Sequence, residues 1–501
     1  MAEIQRFEPI TKRLGDLASF LGIELSADFL GIEITGVTSN SQSIEAGDLF
    51  LALPGAKTHG CAFLPSAVER GARAVLTDNA GADLSSDLNP AIPVLVVPNP
   101  RSQSGFLSSW FYNSPSNQMY VAGITGTNGK TTTSYLLNQI WDYADISSGL
   151  IGTVGIKVAD EFFAASHTTP EADAVQRILS VMNERHLRNV VMEVSSHALV
   201  QNRVDGIRFS AAGFTNLTQD HLDFHGTMED YFQAKSRLFD PIMSEHAFIN
   251  IDNQFGERLV REVAIPTSTI SKHDRKATWH FQSIESHSRG YDVAIRGEGG
   301  VLIEGSLNLI GEHNLENCIL AVAIATHSGV DPLVIGNSLN SLTGAPGRLE
   351  RIELGQEFVA LVDYAHTPDA VAQVLKTVKN VEHRRVIGVL GCGGDRDSSK
   401  RPLMGRALYE GCDVAIFTSD NPRSEKPEAI LSEMTQGLDL KGNQHVIHDR
   451  AQAIEFAVSI AEPGDIVLVM GKGHETGQEM NGVKLPFSDQ VELRRAIEAR
   501  A

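Results

Sequence analysis

The hydrophobic positions of this chain follow two periods, and the alternation between them predicts a succession of strands and helices. Short apolar runs bounded by turn residues predict buried strands at positions 49–53, 92–97, 119–124, 190–193, 358–363, 386–390, 414–418 and 466–470. Apolar residues three and four apart predict helices after the strand at 119–124, after Thr227, at 369–379 and at 400–409. Because strands and helices alternate through the last third, we predict a parallel, doubly wound sheet there.

Chain length and turn residues predict three domains. A chain of 501 residues is too long for one hydrophobic core, since domains commonly hold about 100–150 residues. The stretch at 98–105 has the residues of a linker, and the turn at 344–351 marks a second boundary. We therefore predict domains at 1–98, 99–344 and 345–501.

The composition narrows the possible locations and partners. No run of about 18 apolar residues occurs, so no membrane span is predicted, and the first residues lack the apolar segment of a secretion signal. We therefore expect a cytoplasmic protein. A net charge of −20 disfavours nonspecific binding to nucleic acid or to an anionic membrane, since both require a basic surface. Four scattered cysteines fit neither a disulfide framework nor a paired-thiol zinc site, and we expect buried thiols.

The stretch GITGTNGKTT, at positions 123–132, has the composition of a phosphate-binding loop between a strand and a helix. Such a turn points backbone N–H groups and the positive end of the helix dipole at one small volume. Its glycines permit close approach, Lys130 can reach the β and γ oxygens, and Thr131 offers a hydroxyl to Mg²⁺. Ile124 stands where the strict pattern has glycine, so the loop is a variant, and a glycine turn without ligand is the alternative. The predicted ATP-contacting residues here are Gly126, Thr127, Asn128, Gly129, Lys130, Thr131 and Thr132.

Polar residues follow the next buried strand. Glu193 ends that strand, where a carboxylate is well placed to complete a magnesium shell. Ser196 and His197 come soon after, but a Ser–His pair without a defined orienting carboxylate is weak support for a nucleophile. The neighbouring phosphate loop offers a simpler chemistry.

Several further residues have both a structural and a functional interpretation. His221 is either a metal ligand or a polar capping residue, and spacing does not decide between them. Lys235 lies on the helix that Thr227 caps, and its default interpretation is a solvated cation. Asn314 either caps its helix or contacts adenine. Arg348, beside a Gly-Pro turn, could reach a nucleotide.

The last third places polar clusters after four predicted strands. Ligands of doubly wound sheets bind outside the carboxyl ends of the strands. The clusters occupy positions 363–366, 391–397, 420–423 and 471–475. Their convergence is the strongest argument for a second part of the site.

Ten motifs occur in the order in which Mur ligases have them: GTNGKTT, HTTPEA, MEVSSHALVQNRV, TNLTQDHLDFHGT, YFQAKSRL, GRLER, VDYAHTPDA, GCGGDRDSSKRPLMG, SDNPRSE and GKGHE. On these motifs the chain resembles the Mur ligase family over essentially its whole length. The resemblance implies an α/β fold with a uridine-nucleotide domain, a central ATPase domain on a phosphate-loop sheet and a C-terminal Rossmann-like domain that brings the amino acid. It implies ATP as co-substrate and Mg²⁺ as cofactor, and we expect a monomer.

The same resemblance assigns roles to individual positions. It implies that Lys235 is carbamylated and helps to hold a second Mg²⁺ near His221 and Glu193, so that Lys130, Lys235 and His221 form the catalytic set. Further ATP contacts are implied for Asn314, Arg348 and Asp363. The implied muramoyl-dipeptide contacts are Thr168, Thr169, Ser195, Gln201 and Arg203, and the uridine contacts are Ser39, Ser41, Ala56, Lys57 and Thr58. The implied amino-acid pocket consists of Arg396, Asp420, Asn421, Pro422, Arg423, Gly471 and Glu475.

The implied reaction is ATP-driven amide formation in peptidoglycan precursor synthesis. The γ-carboxylate of D-Glu in UDP-N-acetylmuramoyl-L-Ala-D-Glu takes the γ-phosphoryl group, and an amine of meso-2,6-diaminopimelate attacks the acyl phosphate. Arg423 is expected to select this amino acid, because it can clasp the distal carboxylate that L-lysine lacks. The alternatives are the same reaction with L-lysine and, more remotely, a nucleotide-switched binding protein without ligase activity or a nucleotide kinase.

Overall fold

The computed structural model describes residues 10–55, 57–88, 91–165, 167–287 and 289–500. The chain divides into two compact units. The first contains the residues up to 282 together with 295–303 and 316–337, and the second contains 283–294, 304–315 and the residues from 338 onward. The three predicted domains and the two boundaries between them stay predictions.

The first part of the first unit is built on a small parallel sheet. The strands are β1 (Lys12–Arg13), β2 (Glu33–Ile34), β3 (Gly36–Thr38), β4 (Asp48–Leu51), β5 (Ala74–Thr77) and β6 (Val94–Val96). Strands β3 to β6 pair in sequence order and are all parallel. The apolar run predicted at 49–53 is buried, and the run at 92–97 is partly buried. The helices are α1 (Leu14–Leu21), α2 (Leu64–Glu69), α3 (Asn79–Leu88) and α4 (Pro100–Phe111).

The linker predicted at 98–105 is wrong from Pro100 onward, because the residues from there to 105 are helical. Helix α4 begins at Pro100, where the missing N–H of proline costs nothing, and the side chain of Asn99 accepts a hydrogen bond from the backbone N–H of Ser102. Proline and asparagine here therefore start a helix. The same residues also occur in linkers, so composition alone did not separate the two.

The second part of the chain contains the largest sheet. Its strands are β7 (Tyr120–Thr125), β8 (Ser148–Ile151), β9 (Ile156–Val158), β10 (Glu161–Phe163), β11 (Asn189–Glu193), β12 (Ala211–Phe214), β13 (Ala247–Asn250), β14 (Thr267–Ser271), β15 (Trp279–His287), β16 (Gly290–Arg296) and β17 (Leu302–Leu307). Its helices are α5 (Lys130–Tyr143), α6 (Ala172–Glu184), α7 (Ser196–Val200), α8 (Leu222–His225), α9 (Met228–Ser236), α10 (Gln254–Glu262), α11 (Glu312–His327) and α12 (Pro332–Ser338).

Eight of these strands lie entirely in the first unit, in the order β10-β9-β8-β11-β7-β12-β13-β14. Strand β7 is central, and it pairs in parallel with β11 on one side and β12 on the other. The register sets Glu193 opposite Ile124 and Phe214 opposite Thr125, so the ends of the three strands lie side by side. The loop after β7 is therefore flanked by the chain segments that follow β11 and β12.

The last part forms the doubly wound sheet that the sequence predicts. The strands are β18 (Glu350–Ile352), β19 (Val359–Asp363), β20 (Val386–Cys392), β21 (Val414–Ser419), β22 (Gln444–Val446), β23 (Ile466–Met470), β24 (Gly477–Met480) and β25 (Val483–Pro486). The first six are ordered β18-β19-β23-β20-β21-β22 in one sheet, and all pairs except β18 with β19 are parallel. Strands β24 and β25 form a separate hairpin. The helices are α13 (Pro368–Lys379), α14 (Lys400–Gly411), α15 (Pro427–Met434), α16 (Arg450–Ile460) and α17 (Asp489–Arg500).

A buried ion pair ties two of these helices to the strand ends. Arg450, the first residue of α16, contacts both carboxylate oxygens of Asp489, the first residue of α17, at 2.7 Å. Arg450 also donates to the backbone carbonyls of Ser419 and Met470, which end β21 and β23. Both side chains of the pair are fully buried. Such a pair is costly to break, because the remaining charge loses the carboxylate that contacts it at two atoms.

We expect Asp489→Asn to lower the free energy of unfolding by about 3–5 kcal/mol, the usual cost of breaking a buried pair. Urea titration of the full chain measures this. Asp439→Asn is the matched control, because Asp439 pairs with Lys441 on the surface, and we expect a change of about 0–1 kcal/mol there. A loss at Asp489 as small as that at Asp439 would contradict the structural role of the pair.

The cysteines are free thiols, and three of them are buried. Cys61, Cys318 and Cys392 are buried as predicted, while Cys412 is half-buried. Across the described ranges, no helix combines the length and the apolar character that a membrane crossing needs.

Candidate active site

The loop after β7 has the conformation that its glycines were expected to provide. Gly126 and Gly129 have φ values of +144° and +88°. A Cβ on Gly126 would lie 1.9 Å from Thr215 Oγ1, and one on Gly129 would lie 2.3 Å from Asn317 Oδ1. Only glycine fits either position.

The segment after β12 is hydrogen-bonded to the loop after β7, because the pairing of β12 with β7 places the ends of the two strands side by side. The Thr127 N–H donates to the Asn216 carbonyl at 2.8 Å, and the Asn128 N–H donates to Asn216 Oδ1 at 3.0 Å. Thr215 Oγ1 donates to the Asn128 carbonyl at 2.6 Å. Sequence reasoning missed Thr215 and Asn216, although both lie in the TNLTQD motif.

Lys130 and Thr131 begin helix α5 and face the loop. Lys130 Nζ donates to the carbonyls of Gly126 and Thr127, each at 2.9 Å. Thr131 Oγ1 donates to Glu193 Oε2 at 2.8 Å. Glu193 is fully buried at the end of β11, where it also accepts bonds from the backbone N–H and hydroxyl of Thr153. The structure therefore brings together the hydroxyl and the carboxylate that the sequence predicts as magnesium ligands, and Thr132 lies buried in the same helical turn.

Lys235 is not a solvated cation, so its default interpretation is wrong. The side chain is buried on helix α9, whose predicted cap is confirmed by the bond from the Asp230 N–H to Thr227 Oγ1. Lys235 Nζ donates to the Gly126 carbonyl at 2.7 Å. Burial, with a smaller contribution from Lys130, holds the pKa of Lys235 well below its usual range. A larger share of its amine is therefore neutral at pH 7 than for an ordinary lysine.

His221 lies at the surface, close to other aromatic rings. Its ring centre is 4.9 Å from that of His197 and 6.3 Å from that of Tyr231. Lys235 Nζ lies 4.8 Å from the centre of the same Tyr231 ring. His225 Nε2 is 2.9 Å from Ser196 Oγ. Within the described residues, no group of three or more His, Cys, Asp or Glu side chains is arranged to hold a metal ion. The second metal site with His221 stays a prediction, which depends on a modified Lys235.

Several predicted muramoyl-dipeptide contacts lie together around the end of β11. Thr169 Oγ1 donates to the Glu193 carbonyl at 2.8 Å and accepts a bond from the Ser195 N–H at 3.1 Å. Arg203 Nη1 donates to the Thr169 carbonyl at 2.9 Å, and its Nη2 pairs with Glu171 at 2.9 Å. Thr168 contacts Thr153, one of the partners of Glu193. Gln201 caps helix α7 and is half-buried.

Ser39 is held by a residue that the sequence analysis missed. Its N–H and hydroxyl donate to the two carboxylate oxygens of Asp173, at 2.9 and 2.8 Å. Burial raises the pKa of Asp173. Among the other predicted uridine contacts, Ser41 is half-buried and Lys57 and Thr58 are exposed, while Ala56 lies outside the described residues.

Three predicted ATP contacts lie in the second unit. Asn314 lies in the first turn of helix α11, and its Nδ2 donates at 2.8 Å to the carbonyl of Ile310, which precedes the helix. Asp363 ends β19 and accepts bonds from the backbone N–H groups of Leu349 and Ala365, each at 2.8 Å. Burial raises the pKa of Asp363 although Arg348 opposes the shift. Arg348 lies 5.0 Å from the centre of the Tyr364 ring.

The four polar clusters of the second unit meet around one cavity, as predicted. The cavity has a volume of about 230 Å³ and lies at the carboxyl ends of β19, β20, β21 and β23. Its walls are formed by Tyr364, His366, Gly391, Cys392, Gly393, Arg396, Lys400, Met404, Asp420, Asn421, Arg423, Gly471 and Glu475. Six of the seven predicted pocket residues line it. Pro422 does not line it, but its carbonyl lies 1.9 Å from where Gly394 would carry a Cβ.

The cavity wall carries both cations and anions. Arg423 has φ +53°, and its Nη1 donates to the Gly394 carbonyl at 2.7 Å. The backbone of Arg423 is bonded to Glu479 of β24, which also faces its Nε at 3.5 Å. Asn421 Nδ2 donates to Glu475 Oε2 at 2.8 Å. A cavity with both charge types suits a ligand that carries carboxylate and ammonium groups.

A phosphate loop beside a buried carboxylate indicates an enzyme that uses a nucleoside triphosphate, and the charged cavity indicates an amino-acid substrate. Comparison with known proteins agrees with this class. Models of the Mur ligase family match at 33–103 (catalytic domain), 124–325 (middle domain) and 347–473 (glutamate ligase domain).

Related proteins make the relationship specific. A Streptomyces coelicolor protein named UDP-N-acetylmuramoyl-L-alanyl-D-glutamate–2,6-diaminopimelate ligase is 45% identical over 97% of this chain and 96% of its own length. An Aquifex aeolicus protein of the same name is 40% identical over 96% of both chains. A solved structure of a ligase with that name superposes with a TM-score of 0.72 at 34% identity, over 98% of this chain and 99% of its own. The chain belongs to the Mur ligase family and is an ATP-dependent, amide-bond-forming ligase.

Proposed function

We propose that this chain joins meso-2,6-diaminopimelate to the γ-carboxylate of D-Glu in UDP-N-acetylmuramoyl-L-Ala-D-Glu, with conversion of ATP to ADP and phosphate. This is the reaction that the names of its relatives describe. The product is a precursor of peptidoglycan, so the enzyme would act in cell-wall biogenesis and thereby in cell shape and division. We propose a monomer in the cytoplasm, where these small-molecule substrates are available.

The observation that carries the choice of amino acid is the cavity at the strand ends of the second unit. Arg423 and Arg396 supply cations to its wall, and Asp420 and Glu475 supply anions. Diaminopimelate has a carboxylate and an ammonium group at each end, so it can occupy both kinds of wall at once. L-lysine would leave Arg423 without a carboxylate, which is a costly omission in a site built to bind one.

The chemistry requires an activated carboxylate, because a free carboxylate is a poor electrophile. One oxygen of the D-Glu γ-carboxylate bonds to the γ-phosphorus of ATP, and the bond to the β–γ bridging oxygen breaks, releasing ADP. The amine then attacks the acyl carbon, loses a proton, and expels phosphate. Lys130 and the loop N–H groups offset the negative charge that the phosphoryl group carries during transfer.

The residues beside the loop fit Mg²⁺. Thr131 and Glu193 offer a hydroxyl and a buried carboxylate, and such oxygen donors are the ligands that Mg²⁺ takes alongside phosphate oxygens. A bound Mg²⁺ would neutralise charge on the phosphate oxygens. In this proposal Thr131 and Glu193 hold the ion, and Thr153 orients the Glu193 carboxylate through two hydrogen bonds.

The buried amine of Lys235 supports the proposed carbamylation. Carbamate forms when a neutral amine attacks carbon dioxide, and the low pKa of Lys235 increases its neutral fraction. The product is an anion at the Gly126 carbonyl, where the present side chain donates a bond. A carbamate would exchange that bond for ligation of a second Mg²⁺ with His221.

We expect Lys235→Ala to lower kcat for phosphate release roughly 10²-fold, the loss typical of one charged group that stabilises a transferring phosphoryl group. Millimolar short carboxylic acids should restore part of the activity by occupying the space of the carbamate. Lys441→Ala is the control, because Lys441 is 83% exposed, and it should stay within about twofold of the wild type. Activity of Lys235→Ala equal to the control, or no gain with any acid, would rule out the carbamate.

Phosphate release from ATP tests the proposed reaction directly. The muramoyl dipeptide is present throughout, and meso-diaminopimelate and L-lysine are added in parallel. Release with diaminopimelate alone is the expected result. Release with lysine alone would retain the ligase chemistry but overturn the substrate, and release with neither would overturn the proposed function.

A further inference from the structure

Lys472 lies in the loop after β23 and contacts the amino-acid cavity only through its neighbours. Its side chain is fully buried. Its Nζ lies 3.2 Å from Asp420 Oδ1 and 3.2 Å from Glu475 Oε2, and it donates to Asn421 Oδ1 at 3.0 Å. All three partners line the cavity. One ammonium group therefore contacts all three of these polar side chains. We refer to Asp420, Asn421 and Glu475 together as the wall.

The net charge of this wall depends on Lys472. Two carboxylates and one ammonium leave a single negative charge. Arg450, another buried cation near these strand ends, makes two contacts with Asp489, and Asp420 and Glu475 also act on its charge. The Arg450–Asp489 pair carries no net charge, so it leaves the charge count of the wall unchanged. The other cations that line the cavity are Arg396, Lys400 and Arg423.

We propose that Lys472 is a positioning residue that sets amino-acid specificity by holding this wall at one net negative charge, the complement of one ammonium group. The inference rests on the proposed function. Diaminopimelate carries no net charge and lysine carries +1. A wall with two uncompensated carboxylates would repel itself and would favour the more cationic amino acid. Lys472 thus acts together with Arg423, which lines the same cavity and, in the proposed function, reads the distal carboxylate.

The test is Lys472→Met, which keeps the volume and removes the charge. We expect the ratio of kcat/KM for diaminopimelate to kcat/KM for L-lysine to fall roughly 10-fold or more. KM for diaminopimelate should rise, while KM for ATP and for the muramoyl dipeptide should stay within about twofold. Generalised damage to the fold would instead change all of these constants and would lower both kcat/KM values together.

A double variant keeps the test decisive if Lys472→Met folds poorly. Lys472→Met with Glu475→Gln leaves Asp420 alone on the wall and restores its single negative charge. We expect the specificity ratio to return toward the wild-type value, although the hydrogen bonds of Lys472 are still missing. An unchanged ratio in Lys472→Met, or a ratio that the double variant fails to restore, would overturn the inference. Absence of diaminopimelate-dependent release in the wild type would instead overturn the proposed function.

Discussion

Replacing Lys130 by methionine should lower kcat for phosphate release roughly 10³-fold, because this ammonium is the only charged side chain that the loop itself presents to the transferring group. Its Nζ now lies 2.9 Å from two carbonyls of the loop, so it is already held against the loop that we propose binds phosphate. Methionine retains the stem and removes the charge. Initial rates at saturating ATP, muramoyl dipeptide and amino acid measure the effect.

Lys376→Met is the matched control for this experiment. Lys376 is an exposed lysine on α13, so the same chemical change there should leave kcat within about twofold. Thermal unfolding of both variants excludes a general loss of structure. A Lys130→Met enzyme with more than about a tenth of wild-type kcat would contradict the role of the lysine in phosphoryl transfer.

Replacing Arg423 by alanine should lower kcat/KM for meso-diaminopimelate roughly 10³-fold, and KM for ATP should not change. In the proposed site the guanidinium of Arg423 clasps the distal carboxylate with two parallel bonds, and its loss leaves that carboxylate unpaired. Its position is fixed by the Gly394 carbonyl and by strand β24, so another cation of the wall cannot replace it. Phosphate release at varied diaminopimelate and fixed saturating ATP provides the measurement.

Two further variants separate charge from geometry at this position. Arg423→Lys keeps the charge and loses the planar fork, and we expect an intermediate loss of roughly 10–100-fold. Arg495→Ala is the matched control, since Arg495 is 75% exposed and pairs only with Glu492 among the contacts of the described chain. Equal use of diaminopimelate by the wild type and by Arg423→Ala would contradict selection by Arg423 and would favour L-lysine as the alternative substrate.

Local signals predicted the strands and the glycine turn after β7 with small errors. The strand predicted at 466–470 is Ile466–Met470 in the structure, and the strand predicted at 119–124 is Tyr120–Thr125. The strand predictions succeeded because a fully buried parallel strand has a continuous run of apolar residues. The glycine turn was predictable because a segment between an apolar strand and a helical pattern has few other conformations. The convergence of four clusters on one cavity followed in the same way from the rule for strand ends.

The failures concern residues whose surroundings come from distant parts of the chain. Lys235 has the local sequence of a solvated helical lysine, and only the packing of α9 against the loop buries it. Asp173 bonds Ser39 from 134 residues away, and no local pattern indicates that pairing. Lys472 lies inside the GKGHE motif together with its partner Glu475, so their positions were visible, but Asp420 and Asn421 come from the loop after β21, which only the folded sheet brings to Lys472.

The sequence by itself determined the class of fold, the order of its strands and helices, the phosphate loop and the family, because these depend on hydrophobic period, glycine positions and short motifs. Only the tertiary structure decided which polar groups are buried together. Burial and pairing determine the lowered pKa of Lys235, the carboxylate of Glu193 beside Thr131, and the charge balance around Lys472. Those properties are set by contacts between residues far apart in the chain, and sequence period carries no information about such contacts.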